Sequence, residues 1–446
     1  MADVHTTRRD AQSNSFRAWI EVLRRGPDHA ADTIAGALDA VSPSTKGTCI
    51  AHLVDTEALR SAFRNAGTLE LSGIPYMLKD LFDVAGLPTR AGGTFLPEVR
   101  GNASRDCRMK GALDRLGAVF VGKTHLNEFA YGLDGVNAHY GNVPHPWDGD
   151  RISGGSSSGS AWAVGRGIVP LAFGTDTGGS VRVPAALCGI YGVRLEPNAL
   201  VREGVFPLSR TFDTVGWFTG LPEDAATFWE ALASVDADVD LSPDTWTGRT
   251  IYSPREDVVG DPHMRRLYED AVTLLSGATP AAEAEAKKLD HYLRASSRDH
   301  VTAYNVIGSS DAYDVHEPYL RHFGGRYEER VRLLIERGAH WPQEVRDRAR
   351  EVQRRTEEHL RSLLSEYDAV VSPTTHVVAP PVAEAGVDFR SRILALTAPA
   401  SLARVPVVTV PVFRDDGLSG GLQVLIHPER PGIGISLLRH LAAHRA

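Results

Sequence analysis

The sequence predicts an α/β protein, with a layered core of strands and helices interrupted by a mostly helical insertion. Three observations carry this expectation. Short apolar, strand-like stretches alternate with helix-like ones up to about residue 220. Residues 222–365 are helical in pattern, charged and poor in glycine, and strand-like stretches return after residue 366. The expected organisation is one unit: an N-terminal helical segment over residues 1–66, a core over 70–220, the insertion over 222–365 and a C-terminal completion over 366–446.

The elements follow in chain order. Residues 16–66 read as helices separated by polar breaks, and 56–66 place Leu59, Ala62 and Phe63 on one face. Residues 73–78 form a short apolar stretch that runs straight into Lys79. A helix is expected at 105–116, a buried strand at 118–121, a helix at 160–165 and a strand at 169–173. In the insertion, 342–364 suggests one long helix opening on Pro342, proline being favoured in a first turn. Strands are expected again at 369–372, 405–412 and 421–426, and a last helix at 436–443.

Composition excludes several functional classes. A net charge of −8 over 446 residues does not suit a nucleic-acid binder, which concentrates basic charge on one face. The basic runs at 330–337 and 346–355 are interleaved with Asp and Glu, and read as solvated helix faces. Cys49, Cys107 and Cys188 are too scattered for a disulfide framework, so reduced thiols in the cytoplasm are expected. The first fifteen residues are polar and do not resemble a signal peptide, and no run of 18 apolar residues suggests a membrane span.

The densest chemical signal is GGSSSGS at residues 154–160, followed by GTDTGGSVRVP at 174–184. A flexible linker is the plain reading of a Gly/Ser stretch. These stretches instead alternate with apolar segments, and glycines beside a reactive serine let backbone N–H groups approach a substrate oxygen. Residues 155–159 also satisfy G-x-S-x-G, but that elbow needs a strand immediately before it, and 146–153 are loop-like. Residues 117–124 match the P-loop pattern, yet their middle residues read as a strand, which cannot easily also cradle phosphate. The 17 histidines include no HExxH and no pair with convincing ligand spacing. His125 and His139 are expected in hydrogen-bonded structural roles. No metal and no organic cofactor is inferred.

From residue 70 onward the chain resembles the amidase-signature family. The resemblance rests on residues 154–184, on GIPYMLKD at 73–80, on VGKTHLNE at 121–128 and on YDAVVSPTT at 367–375, with Ser180 placed 24 positions after Ser156. NAHYG at 137–141 and FDTVGWF at 212–218 resemble more narrowly the plant-type indole-acetamide amidohydrolase branch. The resemblance implies a central mixed sheet covered by helices. It implies Ser180 as nucleophile, Ser156 as bridging serine and Lys79 as base. It also implies an oxyanion hole from the amides of Thr177, Gly178, Gly179 and Ser180. Asp176 and Arg182 are expected to brace the loop. Phe129, Ala130 and Tyr131 stand where the family often lines the acyl pocket, and with Trp147 and Trp162 nearby in sequence they suggest an aryl amide.

The chemistry fits these roles. A serine hydroxyl needs an adjacent base, and lysine serves only when neutral, which burial without a carboxylate partner promotes. Asp80 follows Lys79, but adjacent strand residues point to opposite faces, so the two need not pair. The chain departs from the family pattern at Ser158, at residues 192–197 and at 397–406, where a usual asparagine and glycine are missing. The expected function is hydrolysis of a small amide through an acyl-enzyme, with release of ammonia or an amine. No nucleic acid or membrane partner is expected, and a homodimer is left open. The alternatives are an ammonia-supplying subunit of a transfer-RNA amidotransferase and a non-catalytic scaffold.

Overall fold

β-Branched and aromatic residues concentrate in short runs such as VFV, AVV and VVTVPVF, which suit a pleated, packed surface. In the computed structural model, which describes residues 14–239, 243–276 and 283–444, these runs join one mixed sheet. Residues 1–13 of the expected N-terminal helical segment, 240–242 and 277–282 of the insertion, and 445–446 lie outside the described residues. The strands are β1 (Ile50–Leu53), β2 (Pro75–Lys79), β3 (Val119–Thr124), β4 (Leu171–Asp176), β5 (Tyr191–Arg194), β6 (Thr214–Thr219), β7 (Thr250–Tyr252), β8 (Ala369–Pro373), β9 (Val407–Phe413) and β10 (Ser419–Leu425). Their order across the sheet is β1-β3-β2-β4-β6-β5-β9-β10-β8-β7.

The β3-β2-β4 ladder is parallel, so β2 and β4 end at the same edge of the sheet. The remaining pairs are antiparallel except β7-β8. Every residue of β2, β4 and β6 is buried, as expected of central strands covered on both faces. The helix Ser158–Gly165 is buried throughout and packs on β2, β3, β4 and β6. Its small residues let it lie that close to the sheet.

β3 extends through Gly122, Lys123 and Thr124, so the lysine of the P-loop-like pattern is a strand residue with a buried side chain. The helix expected at 105–116 begins at Arg108, because Cys107 is its N-cap and accepts from the Lys110 amide at 3.4 Å. Pro342 stands at the N-cap of Gln343–Glu366, one position before the first turn. The helices Ser297–Phe323, Gln343–Glu366 and Val387–Ala403 pack on one another beside the sheet. Four strands, β1, β5, β6 and β7, and the helix Val387–Ala403 have no counterpart in the sequence-based expectation. β7 falls inside the stretch expected to be mostly helical, at the edge of the sheet.

Gly216 in β6 shows how tightly the middle of the sheet is closed. A Cβ there would stand 2.3 Å from the Val193 carbonyl oxygen and 2.9 Å from a Val181 methyl. Backbone cannot yield as a side-chain tip can. Gly216→Ala is therefore expected to destabilise the protein by about 1–3 kcal/mol, the usual cost of overpacking, as read by urea denaturation.

Candidate active site

Lys79 is the last residue of β2 and is fully buried. Its Nζ lies 2.8 Å from Ser156 Oγ and 2.9 Å from Thr175 Oγ1. Burial pulls the ammonium down to about 7, against the opposing pull of the Asp213 and Asp176 carboxylates. Asp80 turns the other way and pairs with Lys123 of β3. Among the described residues Lys79 makes no ion pair, so no carboxylate holds its proton by direct contact, and its two acceptors are neutral hydroxyls.

Ser156 follows a cis peptide from Gly155 and precedes the helix Ser158–Gly165. Ser157 ties this segment to the second Gly/Ser stretch. Its amide donates to the Ser180 carbonyl at 3.2 Å and its hydroxyl to the Thr175 carbonyl at 3.2 Å. Ser180 is 2% exposed and lies in the turn after β4. Among the described residues its hydroxyl makes no hydrogen bond, and none joins it to Ser156 Oγ.

The turn that carries Ser180 is organised by Asp176. This buried carboxylate accepts from the amides of Gly179, Val181 and Arg182 at 2.9, 3.1 and 3.2 Å. It also accepts from Arg182 at Nε and Nη2 and from Arg194 at Nη1, all at 3.0 Å. Burial alone would raise its pKa, but the two guanidiniums and these bonds hold it far below the ordinary carboxylate range. Arg182 continues outward to the Thr397 carbonyl, Gln423 Oε1 and Ser401 Oγ, at 2.8, 2.8 and 2.9 Å. Thr397 Oγ1 returns to the Gly178 carbonyl at 2.6 Å, and Thr177 donates to Asp213 at 2.6 Å. Burial lifts Asp213 to about 6.

Glycine is required twice in this turn. A Cβ on Gly178 would meet the Tyr304 hydroxyl at 2.2 Å, and Gly179 has φ +125°. The Gly179 amide donates to Asp176 Oδ1 at 2.9 Å, whereas the amides of Thr177, Gly178 and Ser180 make no such bond to Asp176.

Lys79, Ser156, Thr177, Gly178, Gly179, Ser180, Asp176 and Arg182 thus converge at the edge where β2 and β4 end. The expected substrate contacts divide. Phe129 and Ala130 are buried with left-handed φ values of 48° and 60°. The Phe129 ring belongs to an aromatic cluster with Phe95, Tyr327 and His316, at centroid distances of 5.6, 5.0 and 4.6 Å. Its side chain therefore packs core. Tyr131 is buried, and Tyr304 stands against the turn at Gly178. Trp147 is partly exposed beneath Arg166 at 5.9 Å, and Trp162 is buried in the helix Ser158–Gly165. His125 stacks on Tyr140, and burial lowers it to about 4. His139 lies 2.7 Å from Glu128. Sequence reasoning did not single out Thr175, Arg194, Asp213, Tyr304 or Thr397. Thr175 stands inside the Gly/Ser motif, and Arg194, Asp213 and Thr397 inside the stretches 192–197, 212–218 and 397–406, but none of these stretches pointed to the individual residue.

A mixed α/β sheet brings a buried lysine and two serine turns to one edge, and comparison with known proteins gives the class, a hydrolase of amide carbon–nitrogen bonds. The chain belongs to the Amidase family, whose model matches residues 33–428. It is 32% identical to AtzE, the 1-carboxybiuret hydrolase subunit of Pseudomonas sp. strain ADP, covering 80% of this chain and 81% of that protein. It is 30% identical to a glutamyl-tRNA(Gln) amidotransferase subunit of Symbiobacterium thermophilum, covering 84% of each. Among solved structures, it is similar to the inhibitor-bound vestigial protein complex that reveals the origins of an s-triazine catabolic enzyme. That match has a TM-score of 0.82 and 26% identity, over 96% of this chain and 97% of the other. These relatives carry names from other branches than the indole-acetamide one.

Removing one member of a buried ion pair strands the other. Arg182→Met is therefore expected to cost about 3–5 kcal/mol of stability, measured by chemical denaturation, with Arg194 left to hold Asp176.

Proposed function

We propose that the chain is an amidohydrolase that cleaves the carbon–nitrogen bond of a small amide through Ser180, Ser156 and Lys79. The observation that carries this reading is Lys79, buried without a carboxylate contact and 2.8 Å from the Ser156 hydroxyl. Neutral Lys79 takes the Ser156 proton as Ser156 takes that of Ser180, whose Oγ attacks the substrate carbonyl. The amides of Thr177, Gly178 and Ser180 receive the developing oxyanion, an effect worth about 3–4 kcal/mol per donor in comparable sites. The relay then returns a proton to the leaving nitrogen. Water attacks the acyl-enzyme by the same route, its proton passing back through Ser156, and Ser180 is regenerated.

The substrate is small. The commitment of Phe129 to the aromatic cluster removes one wall expected for an aryl group, and the 1-carboxybiuret hydrolase relative supports a compact polar amide. A second reading, an ammonia-supplying subunit working with partner proteins, is favoured by the transfer-RNA amidotransferase relative matched over 84% of both chains. The three free, buried cysteines support a reducing compartment such as the cytoplasm. A homodimer is compatible with either reading.

The test is ammonia release from a panel of aliphatic amides, arylacetamides, glutamine and allophanate. Ser180→Ala and Lys79→Met are each expected to lower kcat by about 1,000-fold or more. Wild-type turnover in Ser180→Ala overturns the assigned nucleophile. The free-enzyme profile gives an independent check. Because the base works deprotonated and burial sets Lys79 at about 7, kcat/KM should rise with pH through about 7 and then level. A profile that falls over that range excludes lysine as base. Turnover of glutamine that appears only on adding a copurified partner supports the subunit reading.

A further inference from the structure

The basic run at residues 346–355 reads from sequence as a solvated helix face, but the structure gives part of it another setting. Arg350 and Arg354 of the helix Gln343–Glu366 border a crevice of about 420 Å³, together with Arg361 from the same helix. Arg202 and Arg210, from the segment between β5 and β6, close a second side, and Arg404, just after the helix Val387–Ala403, a third. Six guanidiniums thus meet two lining carboxylates, Glu196 and Glu357, in a chain whose net charge is −8.

The internal pairing does not use up this charge. Glu357 serves both Arg404, at 2.8 Å, and Arg361, at 3.0 Å. The Nε atoms of both arginines are buried without a hydrogen-bond acceptor. Arg350 spends one nitrogen on Thr211 and Gln353, at 3.2 and 3.1 Å, and pairs more loosely with Asp311 at 3.8 Å through another, while Arg354 pairs with Glu351 and Glu358 on its own helix. Arg202 and Arg210 are exposed and make no ion pair among the described residues. Arg404 sits at φ 54°, a left-handed conformation that costs energy for a residue with a Cβ. Like charges gathered at a concavity repel one another, and a bound counter-charge relieves that repulsion.

We infer that this crevice is a binding site for a small anion bearing more than one phosphate group. A guanidinium presents a planar fork of donors that matches phosphate oxygens two at a time. Arginines from three separate segments converge on one concavity, which suits a compact anion rather than a nucleic acid tracked along a basic stripe.

The test is calorimetric titration of the full chain with inorganic pyrophosphate at low ionic strength. One-to-one binding is expected, weakening as potassium chloride is added. The double variant Arg202→Gln, Arg210→Gln removes two exposed, unpaired side chains. It should weaken binding by roughly tenfold or more while ammonia release and thermal melting stay at wild-type values. The control Arg332→Gln, in the other basic run, should bind pyrophosphate as the wild type does. Absence of pyrophosphate binding at millimolar concentration, equal affinity in the double variant, or binding of RNA without binding of pyrophosphate would each overturn the inference.

Discussion

Everything at the candidate site leans on the carboxylate of Asp176. It sits where β4 ends and takes three backbone amides and two guanidiniums while shut away from water. A buried charge of this kind is costly unless it is paired and fully hydrogen-bonded, and here both conditions are met. The amides fix the path of the Ser180 turn, and Arg182 carries the constraint to Thr397, Ser401 and Gln423. A turn built of small residues has little packing of its own, and polar bonds to distant elements supply the rigidity that side-chain volume cannot.

The same burial acts oppositely on Lys79. Asp176 keeps its charge because cations touch it, whereas Lys79 meets only hydroxyl groups and is driven toward neutrality. The parallel pairing of β2 with β4 puts these two environments side by side at one sheet edge. Asp80 and Lys123, one residue away on the opposite face, satisfy each other and leave Lys79 without a partner.

Much of this was legible in the sequence, because the chemistry is local. The Gly/Ser stretches, the lysine after an apolar run and the Asp176–Arg182 brace all lie within short windows, where spacing and composition carry information. The alternation of strands and helices marked β2, β3, β4 and β8 to β10 for similar reasons. The helix Val387–Ala403 was hidden by Pro399 within it, which argues against a helix when read locally. Strands β5 and β6 contain Gly192 and Gly216, which break the apolar pattern because neighbouring atoms leave no room for a side chain. Arg194, Asp213 and Thr397 reach the turn by contacts far apart in the chain, and the local stretches that hold them say nothing of that partnership. Phe129 stood in the right stretch, but its side chain was claimed by an aromatic cluster assembled from three other segments.

Arg182 and Gln423, which meet in the buried network, are 241 residues apart in the chain. During synthesis the Ser180 turn therefore leaves the ribosome long before its farthest brace has been made. Until then Asp176 and Arg182 have each other but lack the acceptors that anchor the arginine. The growing chain thus holds this segment in an unfinished setting, and the complete network arrives only with the last strands. A stop codon placed late in the message, even one sparing every residue of the Gly/Ser turns, removes the anchor as surely as a substitution within them.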